Sequence, residues 1–268
     1  MTAAVEQDTF AAQALSSPQT LAAVFDHTLL KSDATEANVL QLCQEAAEYS
    51  FACAMVNPAW CELAVSALRG TGVAVGVVVG FPLGANLSIS KQEETRHLLA
   101  LGAHDIDMVL NIGRLKSGTP ADLAAVESEI RTLAALAHDG GGILKVILET
   151  CLLSFEQKLR AADLALNAGA DFLKTSTGFS TAGATVEDIA LLHEKAGTQA
   201  QIKASGGIRT LADTAAMLRA GASRIGASAS VRILGELTGQ LDSPSGTDPS
   251  SVRNGASNHP RAAAQIAY

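Results

Sequence analysis

Three lysines occupy an unusual setting in this sequence. Lys145, Lys174 and Lys203 each lie within or at the end of a short apolar run that is typical of a buried strand. An unpaired ammonium group is costly to bury, so either neighbouring charges hold these side chains or one of them loses its proton. Lysines that lie close together lower one another's pKa, and a neutral lysine attacks carbonyl carbons. The three lysines therefore predict imine chemistry on a carbonyl substrate.

Carboxylate side chains accompany these lysines. Asp26 and Asp107 lie in similar apolar runs, and Asp107 is our candidate for proton transfer because a positioned carboxylate can act as a general acid or base. Asp105, where the same run begins, suits a paired structural carboxylate better. Glu149 ends the run that contains Lys145 and is expected to pair with that lysine. A lone lysine would more often extend from a strand edge to solvent, but three lysines with Asp107 favour an active site.

Glycine-rich turns follow the last three strand-like runs. They are Thr177-Gly178, Ser205-Gly206-Gly207 and Gly226-Ala227-Ser228. Backbone N–H groups in such turns, with a helix N-terminus behind them, bind anions. With Arg209 close to the second turn, this pattern predicts a site for a phosphate group.

An α/β scaffold must bring these residues together. Strand-like runs begin near Val24, Cys53, Val73, Ile106, Ile143, Phe172, Gln201 and Arg224. Helical patterns separate the runs, most clearly over residues 38–48, 88–101, 123–138, 155–168, 186–195 and 211–220. Eight strands that alternate with helices in about 210 residues predict a (β/α)8 TIM barrel, in which functional residues collect at the C-terminal ends of the strands. A doubly wound open sheet is the alternative, but it usually has fewer strands, and the GxGxxG fingerprint is missing.

The two ends of the chain differ in composition from the predicted barrel. The barrel domain is expected over residues 21–240, after an N-terminal helical extension at residues 1–20. Residues 241–268 contain three prolines among many Ser, Gly and Asn residues. This composition predicts a flexible C-terminal tail.

Composition excludes several functional classes. The net charge is −8 without a basic stripe, which argues against a nucleic-acid partner because phosphate neutralisation needs clustered Lys and Arg. No apolar run is long enough to cross a membrane, and residues 1–20 do not resemble a signal peptide. The four cysteines form no CxxC pair and the six histidines are scattered, so we expect reduced thiols, no metal site and a cytoplasmic protein.

The sequence resembles the deoxyribose-phosphate aldolase family. The resemblance lies in five segments in the family's order: DHTLL at 26–30, DIDMVLN at 105–111, LKVILET at 144–150, DFLKTSTG at 171–178 and KASGGIR at 203–209. It implies a class I aldolase on a (β/α)8 barrel that needs neither a metal nor a cofactor. The implied reaction is the reversible cleavage of 2-deoxy-D-ribose 5-phosphate into D-glyceraldehyde 3-phosphate and acetaldehyde, in deoxyribonucleoside catabolism.

The same resemblance implies roles for individual residues. Lys174 would form the Schiff base, Lys203 would keep that lysine unprotonated and assist proton transfer, and Asp107 would transfer protons with a bound water. Substrate-binding roles are implied or expected for Asp26, Thr28, Lys145, Thr177, Gly178, Gly206, Gly207, Arg209, Gly226 and Ser228. The expected partners are the phosphorylated sugar and acetaldehyde, and a homodimer is allowed.

The chain departs from the family pattern at Phe179, where some members carry a lysine. The phosphate charge would then depend more on backbone N–H groups and Arg209. Some members end in a tyrosine that assists proton transfer, and this chain ends in Tyr268.

Two other functions share part of the pattern: a different phosphosugar barrel enzyme, such as another Schiff-base aldolase or an isomerase, and a barrel that binds a metabolite without catalysis. The combination of Lys174, Lys203 and Asp107 argues against both.

Overall fold

The computed structural model describes residues 3–239 and shows a closed barrel of parallel strands. The strands are β1 (Phe25–Leu29), β2 (Cys53–Val56), β3 (Ala74–Val79), β4 (Asp105–Val109), β5 (Ile143–Ile147), β6 (Phe172–Lys174), β7 (Gln201–Ser205) and β8 (Arg224–Ala227). They pair in chain order, and β8 pairs with β1. The predicted (β/α)8 TIM barrel is confirmed and the open sheet is excluded.

Helices surround the barrel and connect its strands. They are α1 (Ala3–Ala14), α2 (Pro18–Ala22), α3 (Glu36–Tyr49), α4 (Cys61–Ala67), α5 (Ser88–Leu101), α6 (Ile112–Ser117), α7 (Pro120–Asp139), α8 (Phe155–Asn167), α9 (Val186–Ala196), α10 (Leu211–Ala220) and α11 (Ser230–Thr238). Every helix named from the sequence is present. The short α4, α6 and α11 were not among them, because two or three turns contain too few positions to show a clear helical period.

Helix caps hold the connections between strands and helices in place. Ser154 and Thr210 each form a capping box with the residue three positions later, at the beginnings of α8 and α10. Each hydroxyl oxygen accepts a hydrogen bond from a backbone N–H that the helix itself leaves unpaired. The beginnings of these helices are therefore well defined next to the ends of β5 and β7.

The strands separate an apolar outer core from a charged interior. Alternate residues of a strand face opposite sides, so Ile106 and Ile202 pack outward into the layer between strands and helices, whereas Asp107 and Lys203 face inward. A small second cluster of Leu30, Cys53, Met55 and Val78 fills the interior beside β1, β2 and β3. Buried ionisable side chains, among them Lys145, Lys203 and Asp107, lie elsewhere in the interior together with the ring of Phe172.

The first two helices lie outside the repeating strand–helix pattern. The Gln7 side chain of α1 donates to the Leu218 carbonyl at 2.6 Å and so links α1 to α10. Helix α2, whose Leu21 and Ala22 are buried, runs across residue 20, where the sequence places the end of the extension. The predicted tail at 241–268, with Tyr268, lies outside the described residues. Within residues 3–239, no helix has the length and apolar character that a membrane crossing requires.

Candidate active site

Three strands bring the predicted catalytic residues together inside the barrel. Asp107 of β4, Lys174 of β6 and Lys203 of β7 all face the interior. The Oδ2 atom of Asp107 accepts hydrogen bonds from Lys174 Nζ and Lys203 Nζ, each at 2.7 Å. Lys174 retains 3% of its exposed area, and Asp107 retains none. One carboxylate oxygen therefore holds two ammonium groups next to the open end of the barrel.

Lys145 lies in a buried cluster of charged side chains that also contains Asp26, Asp105 and Asp107, and it has no exposed surface. Its ammonium contacts Asp105 most closely, and it lies 3.2 Å from Asp107 Oδ1 and 3.5 Å from Asp26 Oδ2. The prediction that Lys145 binds substrate is not supported by this position, because three carboxylates enclose its charge. Nor does Lys145 pair with Glu149, as the sequence suggests. The expectation that Asp105 is a paired carboxylate agrees with the structure.

Asp26 joins the cluster to the opposite end of the barrel. Its Oδ2 atom accepts a hydrogen bond from Lys203 Nζ, and its Oδ1 atom accepts one from Arg224 at 2.8 Å. Asp26 is fully buried. The Thr28 hydroxyl donates to the Asp26 backbone carbonyl at 2.7 Å and is half-buried near the end of β1. Asp26 is thus part of the ionic cluster, whereas Thr28 lies closer to the mouth.

Burial lowers the pKa of Lys174 to about 8. Loss of hydration is the largest cause, because it disfavours the charged amine. The positive charges of Lys203 and Lys145 act in the same direction, while Asp107 opposes them. A lysine with this pKa is about one-tenth neutral at pH 7, against less than about 0.1% for an ordinary lysine. The amine is therefore available as a nucleophile, mainly through burial and secondarily through Lys203.

The carboxylates and Lys145 shift in the directions that keep them charged. Burial by itself would raise the pKa of Asp107, but the ammonium groups of Lys145, Lys174 and Lys203 outweigh burial and hold the pKa well below its usual range. The pKa of Asp26 is lowered in the same way. Burial would lower the pKa of Lys145, yet its carboxylate neighbours raise it well above the ordinary value. Lys145 therefore holds its proton more firmly than Lys174 does.

Glu149 ties the loop after β6 to the end of β5. It adopts a left-handed conformation with φ of +53° and is 2% exposed. Its carboxylate accepts hydrogen bonds from the Thr177 hydroxyl and, at 3.2 Å, from the Thr177 backbone N–H. Both donors of Thr177 are thus already used, so its predicted direct contact with phosphate is not supported. Thr177 instead anchors the loop that carries Gly178.

Glycine turns after β6 and β7 pack against each other backbone to backbone. Gly178, Gly206 and Gly207 have φ of +83°, +85° and +80°, a conformation that favours glycine. A Cβ atom on Gly183 would lie 2.1 Å from the Gly206 carbonyl oxygen. This contact requires glycine at 183, a position that sequence reasoning missed because its partner is distant along the chain. Backbone N–H groups in turns of this kind can bind an anion.

The remaining predicted phosphate ligands occupy different positions. Ser228 is exposed just before α11, and Arg209 is exposed just before α10. Gly226, by contrast, lies inside β8, where an added Cβ would be 3.1 Å from Lys203 Cε. Its predicted place in an anion turn is wrong, because β8 extends to Ala227. Gly226 makes room for the Lys203 side chain.

An aromatic pair joins the loops after β3 and β6. The rings of Phe81 and Phe179 meet edge to face, with centroids 5.2 Å apart. Phe81 also packs against the inner apolar cluster that contains Met55 and Val78. Phe179 is 54% exposed. The apolar side of the mouth therefore continues from β3 to the loop after β6.

One group of side chains in residues 3–239 is compact enough to hold a metal ion: Asp26, Cys53 and Asp105. Both carboxylates already bind cationic side chains, namely Lys203, Lys145 and Arg224. Burial also raises the pKa of Cys53 well above its ordinary value, which disfavours the thiolate that a metal needs. These residues do not fit a metal site.

Known proteins share both the sequence and the fold. The chain matches the family described as "DeoC/LacD family aldolase" over residues 20–240. It is 50% identical over 214 residues to a protein of Geobacillus sp. (strain WCH70) named deoxyribose-phosphate aldolase, covering 80% of this chain and 94% of the relative. A protein of the same name from Clostridium perfringens (strain 13 / Type A) is 51% identical over 215 residues, with the same shares.

A solved structure gives the same result. The deoxyribose phosphate aldolase of Aeropyrum pernix, described as having a unique tetrameric structure, has a TM-score of 0.80 and 33% sequence identity. The match covers 90% of this chain and 100% of the Aeropyrum pernix chain. The barrel, its buried lysines and these similarities lead to one conclusion: the chain belongs to the DeoC/LacD family of aldolases.

Proposed function

We propose that this aldolase reversibly cleaves 2-deoxy-D-ribose 5-phosphate into D-glyceraldehyde 3-phosphate and acetaldehyde through an imine on Lys174. The observation that carries the proposal is the contact of Lys174 with Asp107, in a buried position that lowers the pKa of the lysine to about 8. The names of the relatives support the substrate. The glycine turns next to the lysine support a phosphorylated ligand.

Imine formation uses the neutral fraction of Lys174. The amine nitrogen attacks C1 of the open-chain sugar, the carbonyl oxygen takes up a proton, and loss of water leaves an iminium ion. Lys203 and Asp107 are the groups that can supply and receive these protons, because Lys174 and Lys203 both donate hydrogen bonds to Asp107 Oδ2. The proton released by Lys174 stays within this buried set.

Carbon–carbon cleavage uses the iminium as an electron sink. Removal of the C3 hydroxyl proton, by Asp107 through a water, forms the new aldehyde at C3 and breaks the C2–C3 bond. The bonding electrons move to C2 and produce an enamine on Lys174. D-Glyceraldehyde 3-phosphate leaves, the enamine takes up a proton at C2, and water releases acetaldehyde and the free lysine.

Phosphate binds at the glycine turns in this proposal. Gly178, Gly206 and Gly207 provide backbone N–H groups, and Ser228 and Arg209 border the same side of the barrel. Asp26 and Lys145 balance charge beneath the sugar, and Thr28 contacts a hydroxyl group.

A product assay tests the function. Incubation with 2-deoxy-D-ribose 5-phosphate should release acetaldehyde and D-glyceraldehyde 3-phosphate in equal amounts, and Lys174→Met should abolish release. Lys195→Met is the control, because Lys195 forms a surface ion pair with Asp163. An isomeric sugar phosphate without acetaldehyde would indicate an isomerase. Binding without turnover would indicate a metabolite-binding protein.

We further propose that residues 21–240 form the catalytic unit, with 1–20 as an extension and 241–268 as a tail. A cytoplasmic location and a role in deoxyribonucleoside catabolism agree with the proposed reaction. A homodimer stays a prediction, which light scattering would test. The tetramer described for the Aeropyrum pernix relative belongs to that protein.

A further inference from the structure

Arg224 enters the barrel from the end opposite to Lys174. It begins β8, is 20% exposed and borders a cavity of about 300 Å³ that Phe10, Thr20, Val24 and Gln201 also line. Its guanidinium donates to Asp26 Oδ1 at 2.8 Å and lies 3.9 Å from Asp105 Oδ2. Because strand β8 begins here and the mouth lies at the strand ends, Arg224 is too far down the barrel to contact a substrate bound to Lys174.

The buried cluster that includes Arg224 contains more cationic than anionic groups. Its cations are Lys145, Lys174, Lys203 and Arg224, and its anions are Asp26, Asp105 and Asp107. Direct contacts connect all of them. Four cations against three carboxylates leave one positive charge in excess when every group is ionised. Such an excess is costly in an environment from which water is excluded.

The partners of each cation indicate which one gives up its proton. An arginine keeps its proton at any ordinary pH. Lys145 is close to three carboxylates, and Lys203 contacts both Asp26 and Asp107. Lys174 contacts a single carboxylate oxygen, which it shares with Lys203. Lys174 is therefore the least stabilised cation of the set.

We propose that Arg224 is a positioning residue for the aldol reaction: it pairs with Asp26 from the base of the barrel and supplies an excess positive charge that, added to burial, makes Lys174 give up its proton. Without Arg224, three cations would face three carboxylates. The charge of Lys203 would then neutralise that of Asp26, and the charge of Asp107 would keep Lys174 protonated. This inference rests on the proposed role of Lys174 as the nucleophile.

All charged and titratable groups that face the two residues enter this comparison. Asp107 of β4, Lys145 of β5 and Lys203 of β7 face Lys174. Asp26 of β1, Cys53 of β2 and Asp105 of β4 face Arg224. His104 also contacts Asp105, at 2.7 Å from the partly exposed side. Because the hydrogen bond with Asp105 raises the pKa of His104 above its ordinary value, the comparison of variants should extend well above neutral pH.

The test measures the rate of imine formation between pH 6 and 10, by borohydride trapping of 2-deoxy-D-ribose 5-phosphate on the intact chain. Arg224→Gln removes the charge and should shift the midpoint of the profile upward by about one pH unit, a loss of about tenfold at pH 7. Arg224→Lys keeps the charge and should stay near the wild-type midpoint. Arg69→Gln changes an exposed arginine outside the cluster and should have no effect.

A second substitution gives the opposite sign. Asp105→Asn removes a carboxylate, raises the excess to two charges and should shift the midpoint downward. The double variant Asp105→Asn/Arg224→Gln restores an excess of one and should return close to the wild-type midpoint. Both Asp105 variants keep the proposal testable if Arg224→Gln alone does not fold.

The outcomes separate this inference from the proposed function. If wild-type protein traps substrate on Lys174 but Arg224→Gln and Asp105→Asn keep its midpoint, the charge balance is wrong. An equal loss at every pH would make Arg224 merely structural and would also contradict the inference. If wild-type protein traps no substrate, the proposed function itself fails.

Discussion

At the scale of single residues, Lys174, the proposed nucleophile, is held by one oxygen atom, Oδ2 of Asp107. Asp107 Oδ2 accepts hydrogen bonds from Lys174 Nζ and Lys203 Nζ, each at 2.7 Å, so the two ammonium groups share this oxygen. Lys203 has a second partner in Asp26, and Lys174 has none among the contacts seen in residues 3–239. Lys174 therefore has fewer carboxylate contacts than Lys203, its neighbour on the adjacent strand.

Replacement of Lys203 tests that explanation. Lys203→Met removes a positive charge beside Lys174 and leaves Asp107 to hold Lys174 alone, so the pKa of Lys174 should rise above about 8. Since only the neutral amine reacts, the loss of kcat/KM should be larger at pH 7 than at pH 9. Measurement of kcat/KM across pH 6–10 checks this. Equal losses at both pH values would show that Lys203 acts only in proton transfer.

Residue type and strand position were enough to predict that the proposed catalytic residues meet inside the barrel, but not which partners support them. Lys174, Lys203 and Asp107 could be predicted because parallel strands of a barrel present inward residues to one interior. The hydrogen bonds of Glu149 to Thr177 could not, because loops from different strands meet only in the folded chain. The ion pair of Arg224 with Asp26 spans the sequence almost from end to end. No local pattern signals such a contact.

At the scale of elements, the loop after β6 and the turn after β7 form one unit. Gly183 packs on Gly206, and the Ala184 N–H donates to the Ser205 and Gly206 carbonyls, both at 3.1 Å. The Ser205 hydroxyl in turn donates to the Ser176 carbonyl at 2.6 Å. These contacts hold the proposed phosphate turns at a fixed separation.

Substitution at Gly183 should loosen that unit. Gly183→Ala places a Cβ against the Gly206 carbonyl, so the turn must move and KM for 2-deoxy-D-ribose 5-phosphate should rise by about tenfold or more. Activity on unphosphorylated 2-deoxyribose should change much less. Gly113→Ala is the control, since that Cβ would meet only an ordinary contact at 3.6 Å. A parallel loss with both substrates would contradict the assignment of these turns to phosphate.

Phe179 gives a second test of the same loop. Its ring lies exposed beside Gly178, at a position where a cation would attract phosphate. Phe179→Lys should lower KM for the phosphorylated sugar by several-fold at low ionic strength, and salt should reduce the gain. Phe155→Lys, which changes an exposed phenylalanine at the beginning of α8, should leave KM unchanged. An unchanged KM in Phe179→Lys would place the phosphate elsewhere.

The ends of strands and helices could be predicted where the hydrophobic pattern of the sequence was clear. Strand starts agree closely with expectation because apolar runs of strand length lie between glycine turns and helix caps. Gly226 was misplaced because a glycine inside a strand resembles a turn residue in sequence. In the barrel it has a packing reason, the space that Lys203 Cε needs.

At the scale of the whole molecule, the buried charge cluster links stability to pH. The pKa values of Asp26, Asp105 and Asp107 are all lowered in the folded protein. As pH falls, the unfolded chain takes up protons near pH 4 before the folded state does, so the stability is present above that value and is lost below it. Three such groups give a slope of up to about 4 kcal/mol per pH unit.

Denaturant unfolding at pH 7, 5, 4 and 3.5 checks this dependence. The free energy of unfolding should change little between pH 7 and 5 and fall steeply below pH 4.5. In Asp105→Asn the free energy of unfolding should fall less steeply below pH 4.5, because one fewer carboxylate takes up a proton on unfolding. A stability that is independent of pH down to 3.5 would mean that the pKa values of these carboxylates are not lowered in the folded state.

Borohydride trapping with 2-deoxy-D-ribose 5-phosphate, followed by mass spectrometry of the peptides, tests the proposed imine on Lys174 most directly. The proposed mechanism predicts a single reduced adduct on Lys174 in the wild-type chain, and no adduct in Lys174→Met. An adduct on Lys145 or Lys203 would keep an imine-forming aldolase but contradict the assignment of the nucleophile. The absence of any adduct, with sugar-phosphate binding demonstrated on the same sample, would contradict imine chemistry in this barrel.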